Sequence, residues 1–334
     1  MNIIIPMAGM GKRMRPHTLT IPKPLIPIAG KTIVQRLVEE LKKVIDKPID
    51  EIAFIIGDFG KEIEESLLHI ATSLNTKGKI YYQNKPLGTG HAVLCAESSL
   101  SGEVVVAFAD TLFKTNQIIT NDSDALIWVK TVEDPSQFGV VKVNNDNIIT
   151  DFIEKPKQFI SNLAIIGIYY FRSGEILRRE LRYLIDNNLI VNGEYQLTNA
   201  LQNMKNKGMT LKATAIDEWF DCGNKEATLN TNKRILELSN SSDLIMQGVQ
   251  VINSIIIPPC FIGINSIIEN SVIGPYVSVG KETIVKNFVV KDTIIQRYSN
   301  VENLLLERSI VGNYSDIIGK FKNLNVGDYN SLTL

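Results

Sequence analysis

Between residues 249 and 317 the chain repeats every six residues, and this period constrains its fold more than any other feature. Val249, Ile255, Phe261, Ile267, Ile273, Val279 and Val285 are all large and apolar. The phase slips and resumes at Val289, Ile295 and Val301, then again at Leu305, Val311 and Ile317. A helix brings like residues back every three to four positions and a strand every two, so neither uses a step of six. A hexapeptide repeat fits a parallel β-helix, in which each hexad is a short strand and three make a coil. Gly, Asn, Pro and Ser fill the positions between, as the corners require. The period predicts an inward apolar ladder over residues 245–320, with the polar end NVGDYNSLTL (325–334) as a cap.

The first 240 residues follow another pattern. Asn2–Pro6, Glu51–Ile56, Lys79–Gln83 and Glu103–Ala109 read as strands, and EVVVAFA is the most strand-like run. Helical patterns lie between them at Lys31–Ile45, Glu62–Leu74 and Gly88–Ser99; Ile33, Leu37, Leu41 and Ile45 make an i+4 stripe. Such alternation predicts an α/β fold with a mostly parallel sheet. Residues 124–171 are richer in strand patterns. Helices are expected at 174–187, 194–206 and 223–239, with one strand at Leu211–Trp219. The expected domains are therefore 1–240 and 241–334.

Composition narrows the function. At 334 residues, 44% hydrophobic and 21% charged, the chain can bury a large core and is not a disordered one. Thirty-five basic against 36 acidic side chains argue against a nucleic-acid binder or an anionic-membrane binder. No apolar run approaches the roughly 18–20 residues of a membrane span. The start, MNIIIPMAGMG, has no basic region and no long apolar stretch, so no signal peptide and a cytoplasmic location are expected. Cys95, Cys222 and Cys260 are scattered and fit neither a disulfide framework nor a structural zinc site.

The chemistry concentrates in Pro6–Lys31, PMAGMGKRMRPHTLTIPKPLIPIAGK. A first strand delivers a glycine-bearing loop, with Gly9 and Gly11, to the edge of the sheet where ligands bind. Lys12, Arg13 and Arg15 follow, and then Lys23 between two prolines. Backbone amides with several cations suit a polyphosphate. The spacing is neither Walker A nor the dinucleotide GxGxxG.

The pattern GxGxR…PxT…PKPLxPIxGK resembles the sugar-1-phosphate nucleotidylyltransferases. The likeness in kind is to glucose-1-phosphate thymidylyltransferases and related uridylyltransferases of the long form with a hexapeptide tail. It implies a Rossmann-like sheet with helices on both faces, followed by a left-handed parallel β-helix. It also implies Mg²⁺, a pyrimidine nucleoside triphosphate (dTTP or UTP), a sugar 1-phosphate such as glucose 1-phosphate, and a homo-oligomer held by the β-helix.

The resemblance assigns roles residue by residue. Ala8, Gly9, Met10, Gly11 and Lys12 would form the phosphate cradle, although Ala8 stands where a glycine is usual and Lys12 where a hydroxyl residue is usual. Arg13 would grip the triphosphate, and Lys23 would lie against the α-phosphate. Gln83, Gly88 and Thr89, in QNKPLGTGHA, would read the base, since a Gln amide matches the donor–acceptor edge of uracil or thymine. Asp110 and Asp221 would bind Mg²⁺, a hard cation that prefers carboxylate oxygens. Glu154 would bind sugar hydroxyls and Lys155 the sugar phosphate; Gly139 and Ile165 would let the sugar approach the backbone. Asn199 replaces an aspartate common in the family. His17 and His91 read as packing residues. Hexapeptide acyltransferases use a His base in the β-helix, and the only histidines here are His17, His69 and His91, so acetyl-CoA chemistry in the tail is not expected. A non-catalytic nucleotide-sugar sensor is the other alternative; it would be expected to lose Arg13, Lys23 or an aspartate.

Overall fold

A computed structural model describes residues 1–119, 122–156, 158–240 and 244–320. The expected cap at 325–334 lies outside the described residues. The chain forms two compact units: Met1–Ile26 with Lys31–Ala227, and Pro27–Gly30 with the chain from Thr228 onward. The second unit begins inside the helix Lys225–Leu238.

In the first unit, Asn2–Pro6 lies between Val104–Ala107 and Glu51–Ile56, and Lys77–Tyr82 flanks the latter; all three pairings are parallel. Successive residues of these strands point to opposite faces, yet Ile3, Ile4, Ile5, Phe54, Val105 and Val106 are all fully buried. Both faces are thus covered, which is why the strands read as unbroken apolar runs. Leu163–Phe171 joins Val104–Ala107 antiparallel and carries the β-rich insertion. Ala125–Thr131 and Gly139–Val143 pair with it, Ile149–Glu154 folds onto Gly139–Val143, and Leu211–Ala215 lies parallel to Ala125–Thr131. Side chains cap the starts of three helices among the described residues; Asn224 accepts from the Ala227 amide before Lys225–Leu238. Thr32 accepts from the Gln35 amide before Ile33–Val44, and Ser173 accepts from the Ile176 amide before Gly174–Asp186.

The single strand expected at Leu211–Trp219 is two. Leu211–Ala215 stays in the main sheet, whereas Glu218–Asp221 pairs antiparallel with Thr111–Lys114 in a separate ribbon. The chain changes partners at the break: the Ile216 amide still bonds Val129, but the next, Asp217, bonds Lys114.

In the second unit, thirteen short strands stack in three parallel columns from Gln250 to Ile318. This is the β-helix that the period predicts. Equivalent residues along one column are Gln250, Ile267, Ile284, Asn300 and Asp316, so the coils are 17, 17, 16 and 16 residues long rather than three full hexads. The missing residues explain the phase slips, and they correct the ladder. Its inward members include Ile262, Ile268, Ile273, Val279, Val285, Val290, Ile295 and Val301. Ile255, Val289 and Leu305, which lie on the six-residue count, are 62%, 47% and 78% exposed. In a two-residue strand one side chain must point inward and its neighbour outward, so a slip of one position inverts the assignment. Asn253, Asn270, Asn287 and Asn303 occupy successive corners at positive φ. Asn253 donates to Asn270 and Asn287 to Asn303 through their side-chain amides. Within the same unit the buried Asn232 carboxamide accepts from the Ala29 amide at 3.0 Å and from Ser278 Oγ at 2.7 Å.

Candidate active site

Three strand ends of the first unit converge at the carboxyl edge of the parallel sheet. The Met7 amide bonds Ile55, the Ala109 amide reaches Pro6, and the Gln83 amide bonds Ile56. The loops that follow these strands line a cleft of about 400 Å³. Its walls include Ala8, Gly9, Gly11, Lys12, Arg13, Lys23, Gln83, Gly88, Thr89 and Asp110. Thus ten of the residues expected to act together do share one cavity. Met10 is not among the wall residues; it is 60% exposed at the loop tip. Gly11 turns the loop at φ +55° into the short 3-10 turn Lys12–Met14. A side chain there would meet Thr18, whose hydroxyl donates to the Gly11 carbonyl at 2.8 Å.

At one end of the cleft, cations and carboxylates interleave. Lys23 sits in the 3-10 turn Lys23–Leu25 with Pro22 and Pro24 on either side, and is only 9% exposed. Its Nζ is 2.8 Å from Asp110 Oδ2. The ribbon then brings in the second carboxylate: Asp221 pairs opposite Thr111, the residue after Asp110, and the Cys222 amide donates to the Asp110 carbonyl. Burial pushes the Asp221 carboxyl up, and repulsion from Asp110 adds to this; the Gly223 amide, Lys23 and Arg13 pull it back. The Arg13 guanidinium borders the same spot: a Cβ on Gly223 would lie 3.3 Å from Arg13 Nη2 and 3.0 Å from Asp221 Oδ1. Two oxygen donors whose charges repel, both half-buried, suit a small hard cation that keeps other sites for water or phosphate. Among the described residues no group of three or more His, Cys, Asp and Glu side chains that could hold a metal ion is found, so the candidate donors there are this pair.

At the other end, the Gln83 side chain is held in place. Its Nε2 donates to the Gly88 carbonyl at 3.1 Å and lies 3.1 Å from His91 Nδ1. Burial lowers the His91 pKa from its ordinary 6.5, so the ring is neutral at pH 7 and Nδ1 can accept. Gly88 rather than Thr89 caps the helix Thr89–Cys95, at φ +114°. A side chain on Gly88 would collide with Tyr195 O at 2.6 Å, so the glycine is needed for the approach of residues 194–195. The Thr89 hydroxyl accepts from the Leu197 amide at 3.0 Å and faces Gln196 Oε1 at 3.2 Å; it anchors that segment instead of standing free.

A second group lies on the insertion. Glu154 ends its strand directly opposite Gly139 in the antiparallel register. A Cβ on Gly139 would be 3.0 Å from Glu154 Oε2, 3.5 Å from Ile165 Cδ1 and 3.8 Å from Thr198 Cγ2. Burial raises the Glu154 carboxyl and Glu194 raises it further, while Lys155 and the Thr198 hydroxyl oppose the shift. Lys155 Nζ is 3.9 Å from Glu154 Oε1.

The matching family model, described as nucleotidyl transferase, spans residues 2–237. The chain belongs to this nucleotidyl transferase family. A second model, a GlmU-like C-terminal hexapeptide domain, matches residues 226–317 and makes the tail a left-handed parallel β-helix. This nucleotidyltransferase is 28% identical to the low-salt glycan biosynthesis nucleotidyltransferase of Haloferax volcanii, with both chains fully covered. It is 25% identical to a glucose-1-phosphate thymidylyltransferase of Streptomyces griseus, over 95% of this chain and 93% of that one. Among solved structures, a UDP-glucose pyrophosphorylase of Acinetobacter baumannii shares the fold, with a TM-score of 0.56, 24% identity, and 71% and 99% of the two chains covered.

Sequence reasoning missed three contributors of the nucleotidyltransferase. Glu194 lines the cleft and bears on Glu154. His91 holds the Gln83 amide, which its reading as a plain packing residue did not include. Thr198 sits beside Gly139 and Glu154, in the segment LTN next to the residue that had drawn attention, Asn199. Each depends on a contact across forty residues or more or on a side-chain direction, and no local spacing encodes either.

Proposed function

We propose that this nucleotidyltransferase moves a nucleoside monophosphate from a pyrimidine triphosphate, dTTP first and UTP second, to a sugar 1-phosphate, glucose 1-phosphate being the first candidate. The observation that carries the reading is the shared lining of one cleft: a held Gln83 amide together with Lys23, Arg13 and the glycine loop. With Nε2 committed to Gly88 and His91, the Gln83 carbonyl is left to accept from the N3–H of thymine or uracil, a donor that cytosine lacks.

In the proposed reaction an oxygen of the sugar phosphate attacks the α-phosphorus in line. The bond from the α-phosphorus to the bridging oxygen breaks, and pyrophosphate departs with that electron pair. The substrate supplies its own nucleophile, so the protein's task is to hold two anions together and offset their charge. Lys23 is almost buried and therefore acts in a poorly screened setting. Arg13 offers a rigid fork of donors to the departing pyrophosphate. Glu154 and Lys155 belong to the sugar and its phosphate in this reading. Asp110 and Asp221 would hold Mg²⁺, whose charge, when bound, would neutralise phosphate oxygens.

Residues 1–240 carry this chemistry in our reading, and 241–334 serve assembly. The support for assembly is an outward aliphatic column, Ile255, Val272, Val289 and Leu305, in register on one face of the β-helix. Pyrophosphate release, measured for each common triphosphate against a panel of sugar 1-phosphates, tests the assignment. Efficient use of GTP or ATP with dTTP and UTP idle would overturn the pyrimidine reading.

A further inference from the structure

The chain just downstream of Lys23 belongs to the unit that holds the β-helix. Ala29 and Gly30 turn between the short strands Pro27–Ile28 and Lys31–Thr32, and both have positive φ, +43° and +84°. Glycine takes that conformation freely. Alanine is strained in it, and such strain persists only where neighbouring contacts fix the backbone. Two contacts within the second unit do so. The Phe261 ring lies on the bare α-carbon of Gly30, where a Cβ would be 2.2 Å from Phe261 Cζ. The Ala29 amide donates to Oδ1 of the fully buried Asn232 at 3.0 Å. Asn232 is itself held: Ser278 Oγ donates to the same oxygen at 2.7 Å, and Asn232 Nδ2 donates to the Tyr276 carbonyl at 3.4 Å. Phe261 and Ser278 are register partners on neighbouring strands of one column of the β-helix.

Ala29 follows Lys23 by six residues, and little in between can give. Pro22, Pro24 and Pro27 each have a ring-locked φ. The Ile26 amide closes the 3-10 turn on the Lys23 carbonyl, and the Ile26 carbonyl accepts from the Ile33 amide. A shift of the turn at Ala29 and Gly30 is therefore carried back to Lys23 instead of being absorbed. We propose that Asn232, Phe261 and Ser278 are positioning residues for Lys23, so that the β-helix unit serves catalysis as well as assembly. None of the three is a wall residue of the cleft, and they act through the chain. The inference rests on the proposed nucleotidyl transfer and adds a role for the second unit to it.

The test is a set of variants in the full chain. Phe261→Leu removes the ring from Gly30 without introducing a polar group. It lowers kcat roughly tenfold, because a small displacement of a positioned group is costly in rate. The triphosphate KM changes less than kcat, and the melting temperature stays near that of wild type. Ser278→Ala, which removes one donor to Asn232, gives the same split at about threefold and carries the test if Phe261→Leu folds poorly. In a Lys23→Met background neither variant lowers kcat further, because the ammonium group that they position is gone. A merely structural role would lower kcat equally in both backgrounds. Unchanged kcat in the two single variants, or equal losses with and without Lys23, would overturn the positioning role and leave the proposed activity standing. No pyrophosphate release by wild type with any sugar 1-phosphate would overturn the activity and this role together.

Discussion

Replacing Lys23 by Met keeps most of the buried stem and removes only the charge. Lys23 Nζ is 2.8 Å from Asp110 Oδ2, its side chain is 11% exposed, and that of Asp110 is 43% exposed. Two effects follow, and they differ in size. In stability, the orphaned Asp110 stays in contact with water, so losing the pair costs about 1 kcal/mol at most. For a unit of this size that is a fall of roughly 2–4 °C in Tm. In catalysis, a unit charge about 4 Å from a phosphate oxygen is worth about 4 kcal/mol at an effective dielectric of about 20. Some of that attraction already acts on the bound triphosphate, so only part is specific to the transition state. Removing one preorganised donor from developing charge typically costs about 10²–10³ in kcat. The expected outcome is therefore a hundredfold or greater loss of activity with an almost unchanged melting curve. Initial-rate pyrophosphate release at saturating Mg²⁺, beside differential scanning fluorimetry, measures both. A loss under about fivefold, with the fold intact, would refute the placement of Lys23 against the reacting phosphates.

Asp221→Asn should abolish activity without lowering Tm: its carboxyl is raised by burial and by Asp110, so its charge opposes folding at neutral pH and the amide relieves that strain. Mg²⁺ should raise the Tm of wild type and not of Asp221→Asn, and full turnover in EDTA would remove the metal from the mechanism. Gln83→Ala should raise the triphosphate KM more than it lowers kcat, because the base lies away from the reacting phosphorus. His91 adds a pH signature. An unfolded imidazole takes its proton near 6.5 while the folded one resists until lower pH, so acid erodes both stability and the acceptor for Gln83 Nε2 below that value. The triphosphate KM should therefore rise as pH falls from 7 toward about 5.5, and Gln83→Ala should flatten that rise. Val289→Asp with Leu305→Asp places charge on the exposed column of the β-helix; light scattering should show a smaller particle while pyrophosphate release continues, and an unchanged mass would remove the assembly role.

Both kinds of architecture and most of the site's membership were legible in the order of residues. Runs such as NIIIP and EVVVAFA can only be strands covered on both faces, and a step of six excludes helix and flat sheet alike. The cradle, Arg13, Lys23 and Asp110 lie next to strand ends in the chain, so local order alone brought them to the carboxyl edge. Direction and partnership came from the folded chain. The side that Ile255, Val289 and Leu305 face depends on coil lengths of 17 and 16, and one residue of slip exchanges core for surface. Asp221 reaches Asp110 because the chain leaves the main sheet at Ile216 and pairs with Thr111–Lys114, a choice set by strand partners far apart in sequence, Glu218↔Lys114 through Asp221↔Thr111. Burial then acts on what these contacts assemble: it raises the Asp221 and Glu154 carboxyls and keeps His91 neutral against Gln83. Spacing along a chain encodes which face a residue shares with its neighbours, but desolvation and pairing belong to the folded neighbourhood.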